Sequence, residues 1–177
     1  MVDKKLQEYG PEWIMATTDE SRYRLSPIFG RIWAKKGSKP ICMTNGLTEK
    51  VNVFGIYDQE KRFNHMYAER QNSDSFIEFL KFILQIYSHT ILILDRASWH
   101  KSKKTTKFLE ENSGRIQPVF LPPCTPEANP TEECWKQTRK NVTTNRYFNS
   151  KKDMEKELTE FFDTREFNHS LLSYLGL

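Results

Sequence analysis

Cysteine is scarce in this 177-residue chain. Cys42, Cys124 and Cys134 make an odd set with no CxxC pair. That excludes a disulfide framework and a four-ligand zinc site, and it fits a reducing compartment. Long apolar runs are missing too. No stretch approaches the roughly 18 apolar residues of a membrane span, and Met1-Val2-Asp3-Lys4-Lys5-Leu6 lacks the apolar core of a signal peptide. Internal repeats, linkers and low-complexity segments are absent. Neither sign of charge dominates, since 27 Lys and Arg face 23 Asp and Glu for a net +4; the balance leans mildly toward an anionic partner. The expectation is a soluble, cytoplasmic protein with no membrane partner. Hydrophobic content of 37% and aromatic content of 13% are enough for a core, which excludes disorder. The length suits one domain.

The chain is organised around Ile91-Leu92-Ile93-Leu94, which runs straight into Asp95. A short unbroken apolar run suits a strand buried on both faces of a sheet. An ionised carboxylate at its end is costly unless a metal, a cation or several donors compensate it.

The elements around it follow from period. Trp13 to Ser21 reads as a strand, on which Asp19 shares a face with Met15, Thr17 and Ser21. Arg31–Lys35, Val51–Tyr57 and Phe63–Tyr67 read as further strands, giving an antiparallel meander. The period then changes: Phe76, Phe79, Leu80, Ile83, Leu84 and Tyr87 make a helical stripe, with Ser75 and Glu78 matching a capping box. Strand, helix, strand is the pattern of a parallel crossover. Ser102 to Glu111 predicts a helix, and Ile116 to Leu121 a short strand that Pro118 confines to an edge or bulge. Leu121 to Glu132 holds four prolines in nine residues, a stiff loop. It feeds a helix with Asn129 as N-cap, Pro130 at the first position and Glu132 at the third, running to about Asn141. A last amphipathic helix spans about Ser150 to Glu166, and the apolar ending Leu171 to Leu177 docks on the body.

Three acids stand out. Pairing of the two parallel strands makes Asp19 and Asp95 neighbours, and a helix starting at Pro130 brings Glu132 to the same point. Three acids in one place repel unless cations lie between them. Hard oxygen ligands without His or Cys select magnesium or manganese over zinc. Two such ions flank a phosphodiester, one activating the attacking oxygen and one stabilising the leaving oxygen. Each acid also has a plainer role open to it: Asp19 on a solvated strand face, Glu132 in a capping box. Glu20 and Glu133 adjoin the acids as supporting or exposed residues. Basic residues flank the site: Lys101, Lys103, Lys104 and Lys107 after Asp95, and Lys136, Arg139 and Lys140 after Glu132. Such runs can be solvated helix faces, but two of them flanking the site are read as contacts to a phosphate backbone, with Arg22, Arg24 and Arg31 extending the surface. His100 either contacts DNA or orients the site.

Thr18-Asp19-Glu20-Ser21, the block Leu94 to Lys103 and the stretch Leu121 to Trp135 resemble the catalytic domain of mariner-like insertion-sequence transposases. These belong to the DDE superfamily and have a ribonuclease-H-like fold. The resemblance covers roughly residues 13 to 145 and aligns the family's three acids with Asp19, Asp95 and Glu132. It implies an α/β fold: a mixed sheet of about five strands, with an antiparallel meander and parallel strands, flanked by helices. It implies cut-and-paste DNA transposition with Mg2+ (or Mn2+), through two ions: hydrolytic nicking at the element ends, then strand transfer by the freed 3′-hydroxyl. The partners implied are double-stranded DNA, as element ends and as target, and a second copy of the chain. A non-catalytic DNA-binding remnant and a nuclease on the same fold are the alternatives. Arg96 stands where the family often has asparagine, so it either binds a phosphate or pairs with an acid. The family's usual helix-turn-helix modules find no room ahead of residue 13. Residues 1–177 are therefore read as a single catalytic domain, with end recognition left to a separate polypeptide.

Overall fold

The computed structural model of the chain describes residues 9–123 and 129–175. The first eight residues, Cys124, Pro126 and the last two residues lie outside the described residues, as do the expectations that fall on them. The architecture is a five-stranded mixed sheet with helices on both faces. The strands are β1 (Trp13–Arg24), β2 (Lys50–Asp58), β3 (Phe63–Ala68), β4 (His89–Leu94) and β5 (Ile116–Phe120). They lie in the order β3-β2-β1-β4-β5. The meander β1–β2–β3 is antiparallel, and β4 and β5 join β1 as parallel strands. The helices are α1 (Ser73–Ile86), α2 (Lys103–Glu111), α3 (Thr131–Thr138), α4 (Lys151–Thr164) and α5 (Leu171–Leu175).

Strand alternation divides the core into two layers. Ala16, Phe54, Ile56, Leu92 and Leu94 pack on Phe76, Phe79, Leu80 and Ile83 of α1 and Leu109 of α2. Met15, Tyr23, Val51, Val53, Ile91 and Ile93 point the other way, against Trp135 of α3 and Met154, Leu158 and Phe162 of α4. The four-residue run before Asp95 is buried throughout because β4 is covered on both faces. Pro118 lies in β5, an edge strand, as its missing N–H requires.

Three expectations are corrected. Arg31–Lys35 is not a strand: residues 25–49 form an irregular connection, with Trp33 and Ile41 exposed, and β1 pairs directly with β2. Period-two hydrophobicity needs a sheet face to bury it, and that segment finds none. The cap of α1 is Asn72, whose side chain accepts from the Ser75 N–H at 3.0 Å, rather than Ser75. The helix after Pro130 does not run regularly to Asn141; it widens into a π-helical turn over Arg139–Thr143.

Gly55 of β2 sits opposite Asp19 in the β1–β2 register. A β-carbon there would collide with the Trp135 indole and the Phe63 ring. Gly55→Ala is expected to destabilise by about 1–3 kcal/mol through overpacking, read as a lower urea midpoint at unchanged slope.

Candidate active site

Parallel pairing places the first two acids. The β1–β4 register runs from Trp13 beside His89 to Thr17 beside Ile93. Asp19 lies two residues past Thr17 on the face that carries α3, and Asp95 lies two residues past Ile93, near enough for its charge to act on Asp19. Asp95 lies one residue beyond β4, where the polar chain end opens to solvent, and its side chain is about half exposed.

The third acid is delivered by a pinned helix. The Thr131 hydroxyl lies 2.8 Å from that of Thr17 and 3.2 Å from the Thr17 carbonyl. The Asn129 amide donates to the Thr18 carbonyl at 3.1 Å, while its oxygen accepts from the Thr131 N–H at 3.1 Å. That last bond closes a turn ahead of the helix, which begins at Thr131 with Pro130 as its N-cap, one residue later than the expected Asn129 cap. His169 Nε2 donates to the Pro130 carbonyl at 2.9 Å and braces the same point from the far end of the chain. These contacts seat the first turn of α3 on β1, one residue before Asp19. Glu132, in that turn, faces Asp19 closely enough to raise its pKa. No hydrogen bond or ion pair holds the Glu132 carboxylate among the described residues, so the second half of the expected capping box does not form.

Asp19 feels its neighbours strongly. Burial, then the charges of Glu20, Glu132 and Asp95, push its carboxyl up to about 8. Trp135 donates its indole N–H to Asp19 Oδ2 at 3.0 Å. Among the described residues no three Asp, Glu, His or Cys side chains form a ready-made metal cage. The donor set nevertheless has the chemistry of one: three carboxylates, no soft ligand, and a central acid whose negative charge lacks a compensating cation. That set fits a hard divalent cation.

Asp95 is held from behind. His100 Nδ1 lies 2.7 Å from Asp95 Oδ1, and the Ala97 N–H donates to the same oxygen at 2.9 Å. His100 Nε2 lies 2.9 Å from Glu20 Oε1, which also accepts from Trp99 Nε1 at 3.2 Å. Glu20 points to the opposite sheet face from Asp19, and its side chain is only 4% exposed. The hydrogen bond from His100 holds the Asp95 carboxyl below its ordinary range. Burial works against protonation of His100, but its bonds to Asp95 and Glu20 outweigh that and push it to about 9. His100 is therefore an imidazolium clamped between two acids. Only 1% exposed, it presents no surface to DNA, which corrects that reading and leaves the orienting one.

The basic residues divide. Arg139 donates to Ser21 Oγ at 2.9 Å and lies over the Tyr23 ring, on the face of Asp19. Lys101 is exposed just past Asp95, near Phe120. Lys103 and Lys140 are exposed. Lys104 is paired with Asp74 at 2.7 Å and Lys136 with Glu133 at 3.6 Å. Arg96 donates to the Leu121 carbonyl at 2.9 Å and forms no ion pair with Asp19, Asp95 or Glu132. Two bonds were not legible in the sequence. Trp135 follows Glu132 by three residues, one helical turn on the same face, and that spacing was the available signal for its bond to Asp19. Glu20 adjoins Asp19 as a supporting residue, but its partner His100 comes from a distant turn on the other side of the sheet.

Comparison with known proteins bears on the family and the fold. The family described as DDE superfamily endonuclease matches residues 15–155. The insertion element IS630 uncharacterized 39 kDa protein of Shigella sonnei is 27% identical over 167 residues, covering 92% of this chain and 48% of that protein. The chain thus spans about half the length of that relative. The mariner Mos1 paired-end complex with Mg superposes with a TM-score of 0.71 at 14% identity, covering 98% of this chain and 55% of that one. The catalytic domain of Mos1 mariner transposase gives 0.60 at 13% identity, covering 99% and 80%. At such identities the likeness is one of fold, and it is the ribonuclease-H-like fold that the motifs imply.

Proposed function

The chain belongs to the DDE superfamily of endonucleases, and on that premise we propose that it forms the catalytic domain of a DNA transposase. The observation that supports the reading is the parallel pairing of β1, which carries Asp19, with β4, which leads into Asp95, together with the pinned helix whose first turn holds Glu132 near Asp19. In this reading the three carboxylates hold Mg2+ or Mn2+, and a pair of ions is the expected complement. Bound there, the metal supplies Lewis-acid activation of the attacking oxygen and charge stabilisation of the leaving oxygen. Mos1 transposase structures with Mg and with Mn support that choice.

The remaining work falls to the protein's own groups. Asp19 and Glu132 present oxygens across the α3–β1 junction. Asp95 presents Oδ2, because His100 and the Ala97 N–H occupy Oδ1. Arg139, fixed by Ser21 and Tyr23, offers a guanidinium to a phosphate entering beside Asp19. Lys101, Lys103 and Lys140 extend the contact along the backbone, giving affinity without sequence preference. The reaction is phosphodiester cleavage at element ends, followed by attack of the freed 3′-hydroxyl on target DNA. Two ends must be joined to one target, so the working form is a homodimer on DNA. The proposed site of action is the cytoplasm.

A pre-nicked duplex with a free 3′-hydroxyl and a supercoiled plasmid test this without requiring end recognition. Joined product is expected with Mg2+ and absent with a chelator. No joining with either Mg2+ or Mn2+ over a wide range of protein concentrations sinks the proposal.

A pH signature accompanies metal binding. Below about pH 8 Asp19 carries a proton that a cation must displace. At pH 7 binding is expected to release about one proton per chain, seen as calorimetric heats that differ between buffers of unlike ionisation enthalpy. Above about pH 9 the difference disappears.

A further inference from the structure

We propose that Trp135 is a positioning residue whose indole N–H aims the Asp19 carboxylate at the bound cation; this rests on the metal-dependent reading above. The observation is one bond and the packing that enforces it. Trp135 Nε1 donates to Asp19 Oδ2 at 3.0 Å from a side chain that is 1% exposed. The ring is wedged edge-on against Phe63 at 5.3 Å, with Tyr23 at 6.4 Å and Phe162 at 6.2 Å between centroids. It lies over Gly55, the residue paired with Asp19 across β1 and β2, and any larger side chain there would push it away.

The chemistry of the donor matters. An indole N–H donates and never accepts, and it carries no charge. It therefore fixes Oδ2 without neutralising the carboxylate, as a lysine or arginine in its place would. In this proposal Oδ1 is the oxygen given to the cation. The donor also sits on the helix that brings Glu132, one turn later on the same side. One rigid element thus places the third acid and orients the first, while Thr131 locks its start to Thr17. Asp95 has an equivalent support in His100 and Glu20, so both strand aspartates are held by groups behind them. Groups that orient a metal ligand typically contribute 10- to 100-fold in affinity.

The test is Mn2+ affinity of the whole chain, read from the electron-spin signal of the free ion. Trp135→Phe keeps a packed ring and loses the donor. Insertion of benzothienylalanine at position 135 keeps the shape of the indole and replaces N–H by sulfur. Both are expected to bind Mn2+ about tenfold more weakly than wild type, with the isosteric variant keeping the wild-type melting temperature. Asp19→Asn is the reference for the site. If wild type and Asp19→Asn bind Mn2+ equally, the metal site itself is wrong. If Asp19→Asn weakens binding but the benzothienylalanine variant stays within twofold of wild type, the site stands and the role of Trp135 is overturned. Should Trp135→Phe fail to fold, the isosteric variant decides alone.

Discussion

Asp19→Asn and Asp95→Asn are each expected to lower strand transfer by at least about 10³-fold, above what a single transition-state hydrogen-bond donor contributes, while shifting stability in opposite directions. The Asp19 carboxyl is pushed up to about 8 by burial and by Glu20, Glu132 and Asp95. A raised carboxyl favours the protonated folded state. Its cost to the metal-free protein is therefore absent below the ordinary value near 3.8, grows as pH rises, and is complete above about 8. At pH 7.5 a neutral asparagine removes that cost and still accepts the Trp135 N–H. The metal-free variant is expected to gain on the order of 2–4 kcal/mol, a rise of roughly 5–15 °C in melting temperature. Asp95 is the reverse case. Its carboxyl is held low by His100, so its contribution is present above the ordinary carboxylate range and lost as pH falls through the depressed value. Asp95→Asn is expected to lower the melting temperature, by a smaller amount because half of the side chain meets solvent. Differential scanning calorimetry without metal, beside a strand-transfer assay, reads both quantities. Equal activity in wild type and either variant would falsify the assignment, and a drop in stability for Asp19→Asn would show that its charge is compensated in a way the geometry lacks.

His100→Leu has the largest expected effect on folding. It removes the partner of Glu20, whose side chain is 4% exposed, and leaves that acid in the core. Breaking a buried pair in this way costs about 3–5 kcal/mol, or roughly 6–20 °C. Glu20→Met with His100→Leu removes both members and is expected to recover most of the loss, because two matched apolar side chains need no desolvated charge. Strand transfer should stay depressed in the recovered double variant, since Asp95 then lacks its orienting bond. The pH dependence is fixed in sign. The imidazolium is raised to about 9, so its contribution is full below about 6.5 and disappears as pH rises through 9. Wild type should lose stability between pH 6.5 and 9 by more than the double variant does.

Much of the fold is legible in the residues because it rests on period. Phe76, Phe79, Leu80 and Ile83 are buried as their helical spacing requires, and Ile91 to Leu94 as an unbroken apolar run requires. Pro118 finds an edge strand for want of an N–H. Arg31 to Lys35 fails for the complementary reason: local pattern proposes a strand, but only a neighbouring edge makes one, and β2 already occupies that edge of β1. Asn72 displaces Ser75 as a cap because both are competent cappers and only the path of the chain into the helix chooses between them.

The sequence by itself determined the residue types of the site, their order along the chain and, through the parallel crossover, the neighbourhood of Asp19 and Asp95. Hydrophobic period and chain connectivity are local properties, so they can be read before folding. Only the tertiary structure decided what stands behind each acid. His100 reaches Glu20 across 80 residues and Trp135 reaches Asp19 across 116. No local pattern encodes such bonds. They form because the sheet turns opposite faces of one strand toward two different parts of the chain: the turn after β4 supplies His100 to Glu20, and α3 supplies Trp135 to Asp19.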